Sequence, residues 1–318
     1  MLVSLKGIDM TATAPPSARQ TIRSVLLGLL GVPPSAAAQS AAVSPDDAVA
    51  QPDTAKVYEF TSVDYPGAAE TLVFDTDGTT ALGAFVFAPG NASSPATAFT
   101  VAAGVYQILN VPNSTASIAT GLNTSGLIVG VYDDVAGSAH GFTTSDSINF
   151  TDVDFPGASD TQAIDVNDAG TIVGDYFDAA NVEHGFVNSG GTFRAIDFPG
   201  AKSTAVGGIN ANGDVVGGYT DTTGAVHGFL LSGGVYTPLN FPVASGTTAF
   251  GINDNGDIAG WYTDTAGTTH GFVYADNNFS TVDVAGASAT QLTRIKDSEL
   301  VTGLYTDALT AEHGLTGQ

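Results

Sequence analysis

The chain repeats itself. TDVDFPGASDTQAIDVNDAGTIVGDYFDAANVEHGF at 151–186 returns as RAIDFPGAKSTAVGGINANGDVVGGYTDTTGAVHGF at 194–229 and as TPLNFPVASGTTAFGINDNGDIAGWYTDTAGTTHGF at 237–272. Phe155, Phe198 and Phe241 lie 43 residues apart and Val284 follows at the same interval. Upstream, Val111 and Tyr65 hold the same place at spacings of 44 and 46, which makes six units. A unit this short buries too little apolar surface to fold alone, so the copies must stack on one another.

Each unit reads as four short strands, A to D. In the unit around 204–241, strand A runs from Thr204 to Asn210, B from Asp214 to Asp221, C from Val226 to Leu231 and D from Val235 to Phe241. Asn-x-Gly and Gly-Gly separate them, and such turns need backbone with positive φ. Alternating β-branched and aromatic residues with no helical period give an all-β fold.

The ends of the repeat choose between a linear stack and a ring. The last unit stops after strand C, at Glu312-His313-Gly314-Leu315 and three further residues. The first begins with a strand D that has no A, B or C before it, from Lys56 to Gly67. That strand can complete the last unit and satisfy its open edge. The expectation is a six-bladed β-propeller over 57–318, with four antiparallel strands per blade and the N-terminal strand closing the last blade.

Residues 1–38 differ from the rest. Lys6, Arg19 and Arg23 precede an apolar run from Val25 to Val32, followed by Pro33-Pro34-Ser35 and Ala36-Ala37-Ala38. This is the order of a cleaved export signal, with Met1 or Met10 as its start and cleavage after Ala38. Eight apolar residues are too few to cross a bilayer. Residues 39–56, rich in Ala, Ser, Asp and Pro, read as a flexible leader. Localisation is expected to be extracellular or periplasmic.

The formal net charge is −24, and there is no cysteine. Lys6, Arg19, Arg23 and Asp9 leave with the signal, so 5 basic and 31 acidic residues remain, a net of −26. Such a surface repels phosphate backbones and anionic lipid, which argues against nucleic-acid and membrane partners. It favours cations, calcium among them, although no run matches an EF-hand loop, even where Asp254, Asn255 and Asp257 crowd together. Without cysteine there is no disulfide, thiolate metal site or Cys nucleophile.

The unit "DFPGA–T–GIN–G–IVG–Y–D–G–HGF" resembles the HAF-type probable extracellular repeat of exported bacterial proteins. It is present in full or in part across 61–318, with His-Gly-Phe at 140–142, 184–186, 227–229 and 270–272. The last unit has His313-Gly314-Leu315 and the first Thr97-Ala98-Phe99, with a longer B–C loop from Phe85 to Pro95. The resemblance implies export and a repeat fold. It implies no reaction.

All five histidines occupy one repeat position, each six residues after an aspartate: Asp134 and His140, Asp178 and His184, Asp221 and His227, Asp264 and His270, Asp307 and His313. These pairs read as cross-strand hydrogen bonds that tie the B–C hairpin, since opposed positions on neighbouring strands bring side chains within reach. Copies on separate blades cannot converge on one metal. Tyr132, Tyr176, Tyr219, Tyr262 and Tyr305 read likewise as packing between blades. The Asn turns at Asn123, Asn167, Asn210 and Asn253 read as turn chemistry.

A ligand site in a repeat must come from residues that break the symmetry. Trp261 is the one tryptophan, at a place where other units have Gly218 or Asp175; exposed, it is a sugar contact, and buried, it fills the blade. Two positions before the strand-A Asn, the column reads Val73, Gly121, Asp165, Gly208, Gly251, Arg294. Unit three faces unit six across a ring of six, so Asp165 and Arg294 are expected to meet near the axis and mark a polar axial site. No Ser–His–Asp order, paired-Glu motif or phosphate loop accompanies them. The expected function is a monomeric, secreted, non-catalytic scaffold for a glycan or protein, without cofactor or metal. The alternatives are a structural or cell-surface protein with no small ligand, and a carbohydrate-active hydrolase or lyase with an axial site.

Overall fold

The computed structural model describes residues 58–87 and 95–318. The export signal, the leader and residue 57 lie outside the described residues. Strand β1 (Phe60–Val63) opens the fold. Blade one follows with β2 (Glu70–Thr76), β3 (Thr80–Val86), β4 (Thr97–Ala102) and β5 (Val105–Ile108). Blade two holds β6 (Ala116–Leu122), β7 (Ile128–Asp133), β8 (Ala139–Thr144) and β9 (Thr151–Val153). Blade three holds β10 (Asp160–Val166), β11 (Ile172–Phe177), β12 (Glu183–Ser189) and β13 (Thr192–Ile196). Blade four holds β14 (Ser203–Ile209), β15 (Val215–Thr220), β16 (Val226–Ser232) and β17 (Val235–Leu239). Blade five holds β18 (Gly246–Ile252), β19 (Ile258–Thr263), β20 (Thr269–Ala275) and β21 (Asn278–Val282). Blade six holds β22 (Ala289–Ile295), β23 (Val301–Thr306) and β24 (Glu312–Gly317).

Each sheet is four-stranded and antiparallel, and the sixth runs β1-β24-β23-β22. The expected closure is therefore present: Phe60 pairs with Gly317 and Val63 with Gly314. The seam is reinforced beyond the ladder. Asp64 accepts from His313 of blade six at 3.0 Å, and the next residue, Tyr65, stacks on Phe85 of blade one with centroids 3.7 Å apart.

That two-residue device recurs around the ring and explains the Asp-Phe of the repeat. Asp154 holds His140 of blade two while Phe155 stacks on Tyr176 of blade three. Asp197 holds His184 and Phe198 stacks on Tyr219; Asn240 holds His227 and Phe241 stacks on Tyr262. These four connections are thus pinned to the blade they leave and wedged into the blade they enter, while Asp283 holds His270 without a stack because Val284 follows it. The buried Phe of His-Gly-Phe packs behind this stack, and its glycine is obligatory for close approach: a Cβ on Gly185 would lie 2.5 Å from Val206 Cγ2 of the next blade.

Candidate functional site at the propeller axis

The axial site begins with a β-bulge in every innermost strand. The register shifts between Val73 and Asp75, Ala119 and Gly121, Ala163 and Asp165, Val206 and Gly208, Ala249 and Gly251, and Leu292 and Arg294. A bulge leaves one residue out of the ladder and re-aims the strand beyond it. Here it turns the carbonyls of Thr120, Ile164, Gly207 and Thr293 toward the axis.

Arg294 fills the ring those carbonyls make. Its guanidinium donates to Thr120 O at 3.3 Å, Ile164 O at 3.0 Å, Gly207 O at 3.2 Å and Thr293 O at 2.8 Å. Arg294 Nη2 lies 3.3 Å from Asp165 Oδ1 and its Nε lies 3.9 Å from Asp75 Oδ2. Phe250 of blade five sits with its ring centroid 5.2 Å from the guanidinium carbon. One side chain of blade six therefore touches all the other five blades. Lys296 completes the balance at 2.7 Å from Asp75 Oδ1.

The expected meeting of Asp165 and Arg294 is present, and the axial column needs one correction. Blade one contributes Asp75, not Val73. The spacing of 46 between Tyr65 and Val111 carries Gly121 back to Asp75, so the sequence held the signal. The remaining members of the column are glycines because the buried pairs leave no room: a Cβ on Gly121 would lie 2.9 Å from Asp165 Cα, and one on Gly251 would lie 2.6 Å from Arg294 Cα. Both carboxylates also accept backbone N–H groups, Asp75 from Leu122 at 2.8 Å and Asp165 from Ile209 at 2.9 Å. Burial pushes the Asp165 carboxyl up, Arg294 pulls it down, and Asp75 adds to the rise, for a net pKa above the usual range.

Above this floor, on the face of the A–B turns, lies a depression of about 320 Å³. Leu122, Val166, Ile209, Ile252 and Ile295 line its wall, and Thr124, Asp168, Asp254 and Asp297 stand at its rim. The Asn turns do more than cap themselves. Asn123, Asn167, Asn210 and Asn253 each donate Nδ2 to a carbonyl of the next blade, at 3.0 to 3.3 Å, forming a belt beneath the rim.

Trp261 is 1% exposed and packs on Phe250 with centroids 5.4 Å apart. It fills the blade, so the exposed sugar contact is corrected to an internal one; a large flat side chain next to the axial phenylalanine is drawn in by area burial. The histidine pairs need a refinement. Nε2 lies 3.3 to 3.7 Å from the aspartate six residues earlier, but Nδ1 makes the shorter contact, 2.7 to 3.1 Å to the residue just after strand D. Those earlier aspartates chiefly cap the B–C turn: Asp134 Oδ1 accepts from Ala136 and Ser138. Backbone hydrogen bonds, led by Ser138, hold the Asp134 carboxyl below its usual value. Burial opposes charge on His140 and His270, yet the strand-D aspartates outweigh it and both pKa values are raised.

Two neighbouring carboxyls of blade three lie where that blade meets blade four. Buried Asp175 accepts from Val206 N at 2.6 Å, and Glu183 stands diagonally across from it in β12. Burial pushes Glu183 to about 7, with His184 pulling the other way, and burial together with the Glu183 charge raises Asp175 well above its usual value. A folded-state pKa above the unfolded one, about 4.3 for Glu, means that stability falls as pH rises from there through 7. Glu183→Gln removes that penalty. Its melting midpoint is expected to match wild type at pH 4 and to exceed it by about 2–4 °C at pH 8, in paired thermal melts.

The fold defines the class, a six-bladed β-propeller. No family model and no curated protein sequence matches the chain. Solved structures do match. AofleA from Arthrobotrys oligospora aligns with a TM-score of 0.54 at 12% identity over 80% of this chain and 85% of its own. TolB from Acinetobacter baumannii gives 0.55 at 9% identity over 76% and 64%. The propeller domain of the Trilobed protease from Pyrococcus furiosus, described as having an open velcro topology, gives 0.50 at 9% identity over 78% and 95%. These likenesses establish the fold. In contrast to that open topology, the ring here is closed by β1.

Proposed function

We propose that the chain is an exported propeller of the HAF-repeat kind that works as a non-catalytic binding module, with a glycan seat in the axial depression. The observation that carries this reading is the division between floor and wall. The ionised groups at the floor neutralise one another: Asp75 and Asp165 are held by Arg294, Lys296 and backbone donors, so neither carboxylate is free to shuttle a proton or attack carbon. What remains open to a ligand is an aliphatic wall under a hydroxyl- and carboxylate-bearing rim. That suits a polyhydroxylated ring, whose C–H face packs on the wall while its hydroxyls meet the rim. Among the described residues no group of three or more His, Asp or Glu could hold a metal ion.

A glycan array probed with residues 39–318, in calcium and in chelator, tests it. Binding that disappears in Thr124→Trp, which blocks the exposed rim without touching the floor, supports the axial seat. Silence of the wild-type chain in both buffers sinks it.

A second reading, a protein-contacting surface, has one observation behind it. The B–C ends of blades six, one and two carry exposed Leu309, Phe87 and Val135, at 86%, 57% and 82% exposure. Three apolar tips on one arc are the kind of patch that associating proteins expose.

A further inference from the structure

We propose that the groove between blades three and four is a separate seat for a carboxylate-bearing sugar, gripped by Arg194 and faced by Tyr236. The groove encloses about 330 Å³ on the same face as the axial depression and borders it at Asn167, Ile209 and Ala211. Its two walls are rows of cross-strand neighbours. Val187 and Arg194, opposed in register on β12 and β13, form the blade-three wall. Val215, Leu231 and Tyr236, aligned across β15, β16 and β17, form the blade-four wall.

One departure from the repeat, Arg194, stands beside two neighbours that shape the groove. In register, the Arg194 position is Gln107 in blade one, Thr151 in blade two, Thr237 in blade four, Ser280 in blade five and Thr61 in blade six. Blades three, five and six place Phe193, Phe279 and Phe60 where blade four has Tyr236, so the hydroxyl is an addition relative to those three walls. Blade one has Tyr106 at that place, with its hydroxyl on Asp64 O at 2.8 Å, and the Tyr236 hydroxyl likewise meets the backbone of Asp197, so it is the ring that faces the groove. Blade five has Tyr274 in the place of Leu231, and that ring packs on Phe279 at 4.7 Å. A packing role would not need a cation, and Arg194 is exposed with no hydrogen bond or ion pair engaging it among the described residues. The nearby Asp197 is committed to His184 Nδ1 at 2.7 Å.

The chemistry comes from that set. A guanidinium matches a carboxylate in two parallel hydrogen bonds. Tyr236 and the aliphatic rows offer a face to the C–H side of a sugar ring. The amide of Asn212, at the groove edge, offers a partner for hydroxyls. One cation on a chain of net −24 selects a sparsely charged ligand, one carboxylate at a time, over a dense polyanion. A hexuronate within an oligosaccharide has that charge and that ring.

The test is isothermal titration calorimetry of residues 39–318 with 1,4-linked trigalacturonate and with its fully methyl-esterified form, in low salt. The acid is expected to bind at least about tenfold more tightly than the ester, the scale of one hydrogen-bonded charge pair. Arg194→Gln should abolish that preference with an unchanged melting midpoint, Arg194→Lys should restore part of it, and Thr124→Trp should leave it intact. Equal binding of acid and ester, no binding of the acid, or a preference that survives Arg194→Gln overturns the proposal. A preference lost in Thr124→Trp but kept in Arg194→Gln places the acid in the axial depression and likewise overturns it. Failure of the glycan reading at the axis leaves these outcomes distinct, because the two variants sit on different seats.

Discussion

Arg294→Met is expected to lower the unfolding free energy by about 3–5 kcal/mol, the cost of breaking a buried pair from one side. The substitution keeps the aliphatic stem and removes the charge, so Asp165 stays buried without its guanidinium and the carbonyls of Thr120, Ile164 and Gly207 lose their donor. The pH dependence identifies the cause. With Arg294 gone, the largest offset to burial at Asp165 is lost and only the Ile209 N–H and Lys296 still oppose it, so its pKa climbs further from an already raised value. A group that must take up a proton to fold is least harmful in acid, so the deficit should shrink as pH falls toward 4 and widen toward 8. Urea unfolding of both chains across that range checks it. A pH-independent deficit would mean that lost packing, not the stranded carboxylate, is responsible. Asp165→Asn on the Arg294→Met background should recover part of the loss, because the buried charge is then absent.

The second large effect concerns the seam. A chain beginning at Ala68 lacks β1 and with it the ladder from Phe60 to Val63, the Ser62–Tyr305 hydrogen bond at 2.8 Å, the Asp64–His313 contact and the Tyr65–Phe85 stack. Blade six then presents the unpaired edge of β24, a template for other chains. The loss is comparable to the whole stability of a domain, about 5–15 kcal/mol. No cooperative thermal transition is expected, and size-exclusion chromatography should show oligomers. A peptide spanning 58–67 supplied in excess should restore the monomer and its melt. A truncated chain that stays monomeric and melts within about 2 °C of the parent would show that the other blades hold the ring unaided.

The architecture was legible in the sequence because blade formation is local. Gly213 and Gly234 sit in the left-handed region at the turns where Asn-x-Gly and Gly-Gly announced them. Expected strands from Thr204, Asp214, Val226 and Val235 match β14 to β17 within a residue or two at each end. The orphan strand D before Gly67 foretold the closure, since an unpartnered edge at one end and a missing strand at the other have one common solution.

The axial site was half legible. Asp165 and Arg294 stood out because charge in a column of glycines has no packing reason, and ring arithmetic placed them opposite. Asp75 was missed through a two-residue slip in the irregular first unit. Lys296 was hidden because it stands where other blades carry the turn Asn. The bulge carbonyls left no trace at all, since every residue has one and only the bulge decides which of them leave the ladder.

Trp261 and Arg194 show the same limit from opposite sides. An unmatched tryptophan, read as a sugar contact if exposed and a blade filler if buried, lies inside; an unmatched arginine drew no notice and stands exposed beside an open groove. By itself, then, the sequence determined the blade, its turns, the number of copies and the closing strand, because backbone conformation and alternation are written over a few neighbouring residues. Only the tertiary structure decided which side chains meet across the axis, which partner each histidine takes and where a groove stays open. Those contacts join residues up to 249 positions apart, and their distances exist only once six blades have closed and each bulge has aimed its strand at the centre.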